Sequence, residues 1–506
     1  MIGHSRRVIS ISPHFFKFNP AHSRKDKMSL DPHLLDDAAM RQFIAQGYLL
    51  VQTDQPPQFH QQLCEQLDKV IDADGNPGNN ILPRLPQIGE VFASAPMRGA
   101  LTSLLGPNYS MHPHRYCHLN RPGSEGQAWH KDDYVYDQNV RHHRFRWVMA
   151  FYYPQAVTPD MGPSGVMPGR QYYNGISDSD PAKSTEPELK LCGPAGTVAL
   201  VNFDVWHRAT ANTSSNKRYM LKFQFLRMEE PQAPSWNNQV EGWQPVEGDA
   251  HSSLSSDVWQ WLRGQGHPAA DGGGELGDRL AALDDGDETR RLDAVYNFSD
   301  LGAAGIAPLI EALRRQACGL AEADWANTAA NPQGTNPAQL SAAYALAALG
   351  EIAVEPLVAE LEHADWRVRA AVADALGNMA RTAKATAPVL GRSLQDGHMW
   401  VRRNAAEALG NMAPDDEDSI ARLSAVLADD DERVRRNAAL ALAKIGPHAA
   451  PAVAALAKLL ADENRYVRYN VFLALQRIGS PAAREALWAD MEVARWCPIT
   501  TRETQY

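Results

Sequence analysis

A spacing of 33 residues recurs in the C-terminal half of this chain and restricts its fold more than any other feature. Four valines stand at this interval, and each opens the same apolar frame at positions i, i+4, i+7 and i+8. The frames are Val368-Val372-Ala375-Leu376, Val401-Ala405-Ala408-Leu409, Val434-Ala438-Ala441-Leu442 and Val467-Val471-Ala474-Leu475. This spacing places the four side chains on one helix face, where the alanines let neighbouring helices approach closely. Because one helix cannot bury such a face alone, the pattern predicts a solenoid of stacked helix pairs.

The sequence also marks the ends of these helices. Asp365, Asp431 and Asn464 each stand three residues before a frame valine, where we expect them to cap the helix. A second helix, often entered by a proline, is predicted in most units. Two weaker units at residues 290–302 and 338–350 precede the four frames, and we expect the insert between them, around residues 319–336, to form a loop.

An arginine follows each frame valine, at Arg369, Arg402, Arg435 and Arg468. We interpret this row as structural, with each arginine paired across adjacent repeats to acids such as Asp365, Asp396 and Asp431; a ligand-binding stripe is the alternative. The units resemble the short HEAT-like repeats of bilin-lyase proteins over residues 277–490. That resemblance concerns architecture and not activity.

Size and charge exclude several classes of protein. The chain has 506 residues, which is more than one domain needs. Its net charge of -11 argues against a general binder of the phosphate backbone, so we expect no nucleic-acid partner. No apolar run approaches the length of a membrane span, and we expect no membrane association. Five cysteines without paired spacing favour free thiols, and therefore a cytoplasmic location.

The N-terminal half changes character along its length. Residues 30–74 show a helix, a short strand and a second helix, whereas residues 110–226 show short strands separated by turns, notably at 146–153, 197–203 and 219–226. This order predicts a double-stranded β-helix of the jelly-roll or cupin-like type with flanking helices.

The complete chain is therefore predicted to be multidomain, with five segments. Residues 1–30 form an N-terminal extension, which we interpret as disordered or as an over-extended start ahead of Met28, with a transit peptide as the alternative. The other segments are a jelly-roll domain at 31–230, a connector rich in Pro, Ser, Gly and Trp at 231–275, an all-α HEAT-like solenoid at 276–490 and a tail at 491–506.

Two histidines and an aspartate can supply the ligands of a non-haem iron site. His130 and Asp132 are two positions apart, so extended backbone projects both side chains to one side, and His207 follows a predicted buried strand. Two imidazoles and one carboxylate are the ligand set of non-haem Fe(II) oxygenases, which keep other coordination positions open. Arg218 opens the next strand, and a buried guanidinium suits the far carboxylate of a keto acid. A lone His-x-Asp is common by chance, so the prediction depends on His207 and Arg218 reaching the same cavity.

Residues 31–228 resemble the phytanoyl-CoA dioxygenase family. The resemblance is carried by residues 43–51, by Trp129-His130-Lys131-Asp132, by the turn from Gly162 to Arg170 and by the stretch from His207 through Asn212 to Arg218. It implies that His130, Asp132 and His207 bind Fe(II), that Arg218 holds the distal carboxylate of 2-oxoglutarate, and that O2 is the oxidant. At Arg170-Gln171 the chain departs from the serine-histidine pair common in the family, so substrate contacts are not transferred there.

The resemblance also implies the reaction. Oxidative decarboxylation of 2-oxoglutarate to succinate would be coupled to hydroxylation of an unactivated C–H bond. Related iron halogenases carry a small residue in place of the acid, so Asp132 favours hydroxylation over halogenation.

Further polar residues are candidates for the pocket. His112, His114 and His118 alternate along one stretch, and His142-His143 form another pair. We interpret them as cavity-lining or co-substrate-binding residues rather than a second metal site, because no carboxylate shares their spacing. His118 and Asn120 are the co-substrate candidates. Candidate substrate contacts, with ordinary packing as the alternative, are Gln127, Trp129, Tyr134 and Tyr136.

Three functions are consistent with these residues. The first is a hydroxylase of a small molecule, in which the HEAT-like domain serves assembly, substrate access or partner binding. The second is a protein-modifying hydroxylase that recruits a polypeptide through the solenoid, and the third is a non-catalytic scaffold. The presence of all four site residues argues against the scaffold. A protein partner or self-association through the repeats is an open alternative.

Overall fold

The computed structural model describes residues 32–132, 141–175, 187–266, 275–325 and 335–493. Its N-terminal part contains eight strands: β1 (Tyr48–Gln52), β2 (Ser110–Asn120), β3 (Trp147–Tyr153), β4 (Ser164–Val166), β5 (Leu189–Lys190), β6 (Thr197–Asn202), β7 (His207–Ala209) and β8 (Arg218–Leu226). Five helices accompany them: α1 (Asp37–Gln46), α2 (Pro57–Asp74), α3 (Ile81–Arg84), α4 (Ile88–Ala93) and α5 (Ala95–Leu105).

The strands form two antiparallel sheets. The larger has the order β1-β6-β3-β8-β2 and the smaller the order β5-β4-β7. Strands β3 and β8 are buried along their whole length. One face of β8 packs against the helices, since the Phe223 and Phe92 rings lie 4.5 Å apart. The other face carries Lys222, which pairs in register with Phe151 of β3, and the Phe151 ring lies 5.8 Å from that of His207. The inner face of the large sheet is therefore directed at the smaller sheet, as the predicted jelly-roll class requires.

The remaining chain is helical. Its helices are α6 (Ser252–Leu262), α7 (Leu276–Ala282), α8 (Glu288–Tyr296), α9 (Ile306–Gly319), α10 (Glu322–Trp325), α11 (Ser341–Leu349), α12 (Val354–Glu360), α13 (Trp366–Met379), α14 (Ala387–Ser393), α15 (Met399–Met412), α16 (Glu417–Ala425), α17 (Glu432–Ile445), α18 (Val453–Lys458), α19 (Arg465–Ile478) and α20 (Pro481–Val493). We call α11, α13, α15, α17 and α19 the first helices of the repeats. Helix α6 lies inside the predicted connector, and its Trp259 is fully buried.

The first helices α13, α15, α17 and α19 begin 33 residues apart and stack on one another through the predicted frame residues. All sixteen frame residues are buried, with at most 2% of each exposed. A Cβ on Gly377 of α13 would lie 2.9 Å from the Cα of Ala408 in α15, so adjacent helices pack at a distance that only glycine permits at that point. The caps are as predicted, because Asp365, Asp431 and Asn464 each accept a backbone N–H bond at the start of their helices.

The arginine row is structural, with one difference from the predicted partners. Arg369, Arg402 and Arg435 each form a two-pronged ion pair with the aspartate 27 residues later: Asp396, Asp429 and Asp462. The predicted partner Asp396 is therefore correct. Asp365 and Asp431 instead pair with Arg367 and Arg433 on their own helices. The carboxylates of Asp365 and Asp431 cap their own helices by accepting the backbone N–H groups of Arg367 and Arg433. They are therefore directed at their own first turns and not at the next repeat.

The first helices of the repeats face the β domain. At one end of the row the Tyr344 ring of α11 stacks on His143 with centroids 4.2 Å apart. At the other end the Tyr466 hydroxyl of α19 lies 2.9 Å from Nδ1 of His114 on β2. The two parts of the molecule therefore share an interface that runs from α11 to α19.

Two stretches of the repeats, Ser341–Glu360 and Glu432–Ala461, could cross a membrane by length and composition alone. Each contains two successive helices and a break at Gly350 or Gly446, where φ is 70° and 69°. At least half of each stretch is buried among its neighbours. We therefore assign both to the core of the solenoid.

Candidate metal and co-substrate site

Three potential metal ligands converge between the two sheets. His130 lies opposite His207 of β7, and each residue donates its backbone N–H to the other's carbonyl oxygen at 3.0 Å. Extended backbone then turns Asp132 to the same side as His130. One ligand atom from each of the three residues lies within 4.8 Å of the others, and His207 Nε2 is 3.8 Å from Asp132 Oδ2. The spacing predicted from sequence thus becomes a single cluster.

Both imidazole rings are oriented by backbone carbonyls. Nδ1 of His130 lies 2.9 Å from the oxygen of Ala128, and Nδ1 of His207 lies 3.1 Å from that of Val205. A proton on each Nδ1 satisfies these bonds and leaves the Nε2 lone pairs directed into the cluster. Burial lowers the pKa of His207 to about 4, so this ring is neutral at pH 7, the form that binds a metal.

Asp132 is held as an anion by a lysine that our sequence analysis missed. Lys222 Nζ lies 2.7 Å from Asp132 Oδ2, and both side chains are more than nine-tenths buried. Burial opposes ionisation of the carboxyl, but the charge and hydrogen bond of Lys222, together with the charges of His207 and His130, outweigh it and lower the pKa of Asp132 to about 2. The sequence could have indicated this contact, because Lys222 stands in the fully buried strand β8 on the same face as Arg218.

Arg218 presents an unused donor on the same inner face. Its Nε donates to the carbonyl oxygen of Gly162 at 3.0 Å, and Nη2 donates to the same oxygen. Nη1 is buried and has no hydrogen-bond partner among the described residues. The residue is 1% exposed and lies four positions before Lys222 on β8. A buried guanidinium nitrogen without an acceptor fits a carboxylate ligand.

The two other co-substrate candidates differ in what they offer. His118 pairs in register with Met220, and Asn120 pairs with Arg218. The Nε2 atom of His118 is buried without a partner among the described residues, and burial lowers its pKa to about 3. The amide of Asn120 instead donates to the carbonyl oxygens of Gly162 and Thr210. Asn120 therefore supports the turn that Arg218 contacts, while His118 has a ring nitrogen available.

The candidate substrate contacts lie mostly away from the cluster. Gln127 accepts a bond from the backbone N–H of Ala209 on β7. Trp129 is buried under the guanidinium of Arg208, 4.6 Å from the ring centroid. Alternation turns Trp129 to the side opposite His130. Tyr134 and Tyr136 lie outside the described residues.

The fold and the cluster define a class of protein. Two histidines and one carboxylate on one side of an interior space in a jelly roll match the facial triad of non-haem iron oxygenases. Residues 86–220 match the family model of the phytanoyl-CoA dioxygenases, and residues 354–443 and 421–494 match HEAT repeats. The chain therefore joins a phytanoyl-CoA dioxygenase domain to HEAT repeats. It is an Fe(II)- and 2-oxoglutarate-dependent oxygenase.

Solved structures show low-level likeness to this chain. AviO1 from Streptomyces viridochromogenes Tue57 is 14% identical over 40% of this chain and 96% of its own, with a TM-score of 0.32. EctD from S. alaskensis is 14% identical over 42% and 85%, with a TM-score of 0.34. HygX from Streptomyces hygroscopicus with iron bound is 13% identical over 38% and 87%, with a TM-score of 0.32. No curated protein matches the chain. Similarity at this level supports no conclusion about the chemistry of this chain.

Proposed function

We propose that this protein hydroxylates an unactivated C–H bond of a small molecule, with Fe(II) held by His130, Asp132 and His207. The observation that carries the proposal is the convergence of these three ligands on the inner face that also presents Nη1 of Arg218. In this arrangement Arg218 binds the far carboxylate of 2-oxoglutarate, and His118 offers a second polar atom to it. The cytoplasm is the proposed location, and the free thiols of the four described cysteines support it.

Iron, when bound with 2-oxoglutarate, supplies the activation of O2 for this class of reaction. The chain's own residues prepare the site for it. The carbonyl groups of Ala128 and Val205 orient the imidazoles, and Lys222 keeps Asp132 ionised. Burial of Asp132, His207 and Arg218 excludes water from the interior space, which strengthens each charge interaction. Asp132 occupies the carboxylate position of the proposed iron site, where related halogenases carry a small residue, and this favours hydroxylation over halogenation.

The interface with the repeats favours a small substrate over a polypeptide. The first helices, which a recruited polypeptide would use, are already covered by the β domain from α11 to α19. His114 connects the repeats to the surroundings of the metal cluster, because its Nδ1 lies 2.9 Å from the Tyr466 hydroxyl of α19. Burial, together with the charges of Lys222 and Arg465, lowers the pKa of His114 to about 4. We infer that the repeats form one wall of the substrate approach.

A co-substrate titration tests the proposal. Succinate formed from 2-oxoglutarate is measured with panels of small molecules and of peptides, for the wild type and for Arg218→Ala. We expect a small molecule to stimulate turnover, and we expect Arg218→Ala to need at least about tenfold more 2-oxoglutarate while binding Fe(II) normally. Arg208→Ala is the matched control, because Arg208 on β7 pairs with Glu188 instead. An unchanged 2-oxoglutarate requirement in Arg218→Ala contradicts the assignment, and stimulation by peptides alone favours the protein-modifying alternative.

A further inference from the structure

A second group of potential metal ligands lies where the β domain meets the repeats. His142 precedes β3, Asp374 lies on α13 and Glu407 lies on α15. One ligand atom of each lies within 4.8 Å of the others. Nε2 of His142 is 3.7 Å from Asp374 Oδ1 and 3.9 Å from Glu407 Oε1, and all three side chains are more than nine-tenths buried. The cluster therefore combines an imidazole from one domain with two carboxylates from the other.

The repeat period shows that packing does not require these carboxylates. Asp374 and Glu407 occupy the same position in two successive repeats, six residues after the frame valine. The next two repeats carry Leu440 and Leu473 there, and both leucines are buried. A leucine thus satisfies this position, whereas a buried carboxylate costs free energy unless it is compensated. Two successive repeats therefore carry an acid where the next two carry a leucine, and this indicates that the acids bind something at this position.

Asp374 accepts no hydrogen bond from the described residues, and Nε2 of the His142 ring lies 3.7 Å from its Oδ1. The charges of Arg403 and Arg146 act on this carboxylate without forming a salt bridge with it. Glu407 differs, because its Oε2 is held by Arg403 while Oε1 faces His142. Asp374 is therefore a buried carboxylate without a hydrogen-bond donor among the described residues, and its Oδ1 faces the His142 ring.

Apart from Arg403, which holds Oε2 of Glu407, the neighbouring cations form pairs outside the cluster. Arg144 forms a two-pronged pair with Asp257, and Arg146 forms one with Glu230. Lys444 donates to the side-chain oxygen of Asn411 at 2.6 Å. None of these three groups forms a hydrogen bond or a salt bridge with Asp374, whose one ion-pair neighbour among the described residues is His142.

Protonation is the alternative to a cation at this position. Burial, followed by the charge of Glu407, raises the pKa of Asp374 to about 8, so without a cation this carboxyl keeps its proton at pH 7. Burial lowers the pKa of His142 to about 4, which leaves a neutral imidazole. A divalent cation would replace the proton and balance both carboxylates.

We propose that His142, Asp374 and Glu407 form a second metal site, which binds a divalent transition cation such as Zn²⁺ between the two domains. One imidazole and two carboxylates suit zinc, whose tetrahedral ligands at about 2.0–2.2 Å stand roughly 3.3–3.6 Å apart. The two separations from Nε2 of His142, 3.7 and 3.9 Å, need to close by only a few tenths of an ångström, and the two carboxylates lie within 4.8 Å of each other. Nδ1 of His142 faces the Asn378 amide nitrogen at 3.1 Å, so Nε2 is the ring nitrogen directed at the two carboxylates. The site does not depend on the proposed catalytic function.

Metal stoichiometry of the full chain tests this site. The purified protein is stripped with a chelator, dialysed against Zn²⁺ and analysed for bound metal, as wild type, His207→Ala, Asp374→Leu and the double variant. We expect two zinc ions per wild-type chain, one in each single variant and none in the double variant. Added Zn²⁺ should raise the melting temperature of His207→Ala and leave that of the double variant unchanged.

Two further variants serve as controls. Asp374→Leu introduces the residue found two repeats later at Leu440, and Asp374→Asn replaces it if the leucine variant does not fold. Asp429→Asn removes a buried solenoid carboxylate that already has a counter-ion in Arg402, so it should retain both zinc ions. The second site is overturned if the wild type binds a single zinc that His207→Ala abolishes, or if both Asp374 variants still bind two.

Discussion

The candidate iron site and the interdomain cluster use the same ligand types in opposite electrostatic settings. At the first, Lys222 lies 2.7 Å from Asp132, and the pKa of that carboxyl is lowered to about 2. At the second, no cation among the described residues forms a hydrogen bond with Asp374, and burial with the charge of Glu407 outweighs the charges of Arg403 and Arg146 and raises its pKa to about 8. A buried carboxylate is thus ready for a metal at pH 7 only where a neighbouring charge stabilises its anion. The candidate iron site therefore holds its carboxylate ready as an anion, while a cation at the proposed interdomain site would have to displace a proton from Asp374.

The largest expected effect is at the prepared site. His207→Ala removes a ligand whose ring is fixed by Val205, so we expect Fe(II) affinity to fall by more than the roughly 10–100-fold typical of losing an outer-shell partner. Anaerobic Fe(II) titration measures this effect, with circular dichroism to confirm folding. His114→Ala is the control, because His114 lies near the cluster without belonging to it. Equal Fe(II) affinity in His207→Ala and the control would remove His207 from the ligand set.

The next effect is on pH-dependent stability at the unprepared site. Folding raises the pKa of Asp374 from an ordinary aspartate value of about 3.9 to about 8, so the folded chain keeps a proton that the unfolded chain has released. Metal-free protein therefore loses stability from this group as pH rises from about 4 to about 8. We expect metal-free Asp374→Leu to exceed the wild type by on the order of 2 kcal/mol at pH 8 and by much less at pH 5. Urea unfolding at the two pH values measures the difference, and a pH-independent difference would contradict the raised pKa.

A smaller change is expected when the prepared site loses its cation. Lys222→Met keeps the apolar length of the side chain but removes the charge beside Asp132. The Asp132 anion then loses the main charge that offsets its burial, and we expect Fe(II) affinity to fall by about tenfold, within the range for outer-shell partners. Lys190→Met, which alters an exposed lysine on β5, is the matched control. Identical Fe(II) titrations for both variants would show that Lys222 has no part in preparing the site.

The smallest effect concerns the arginine row, which lies outside both clusters. Arg402→Ala breaks a partly exposed two-pronged pair with Asp429, so we expect a loss of at most about 1 kcal/mol in unfolding free energy. Both metal sites should be unaffected. Thermal melting with and without metal checks this expectation, and a loss of zinc binding in Arg402→Ala would mean that the row has a role beyond packing.

Much of the fold follows from local pattern. Three features were predictable because each depends on a backbone period or on a local hydrogen bond. They are the 33-residue frame, the strands β3, β6 and β8, and the helix caps. Helices α3 to α5 were missed, since they are short, two of the three contain a proline, and none shows a long periodic stretch. Helix α6 was hidden by composition: the segment is rich in Pro, Ser, Gly and Trp, but its Trp259 and Trp261 are buried in the core.

The sequence alone determined the helix-pair repeat, the jelly-roll strands and the candidate ligand set His130, Asp132 and His207, because these depend on the order of residues along short stretches. Tertiary structure decided which charges meet across long separations. Lys222 reaches Asp132 from ninety residues away, and His142 reaches Asp374 and Glu407 only because the β domain docks on the first helices. Such contacts depend on how folded surfaces pack against each other, and no local pattern in the sequence predicts that packing.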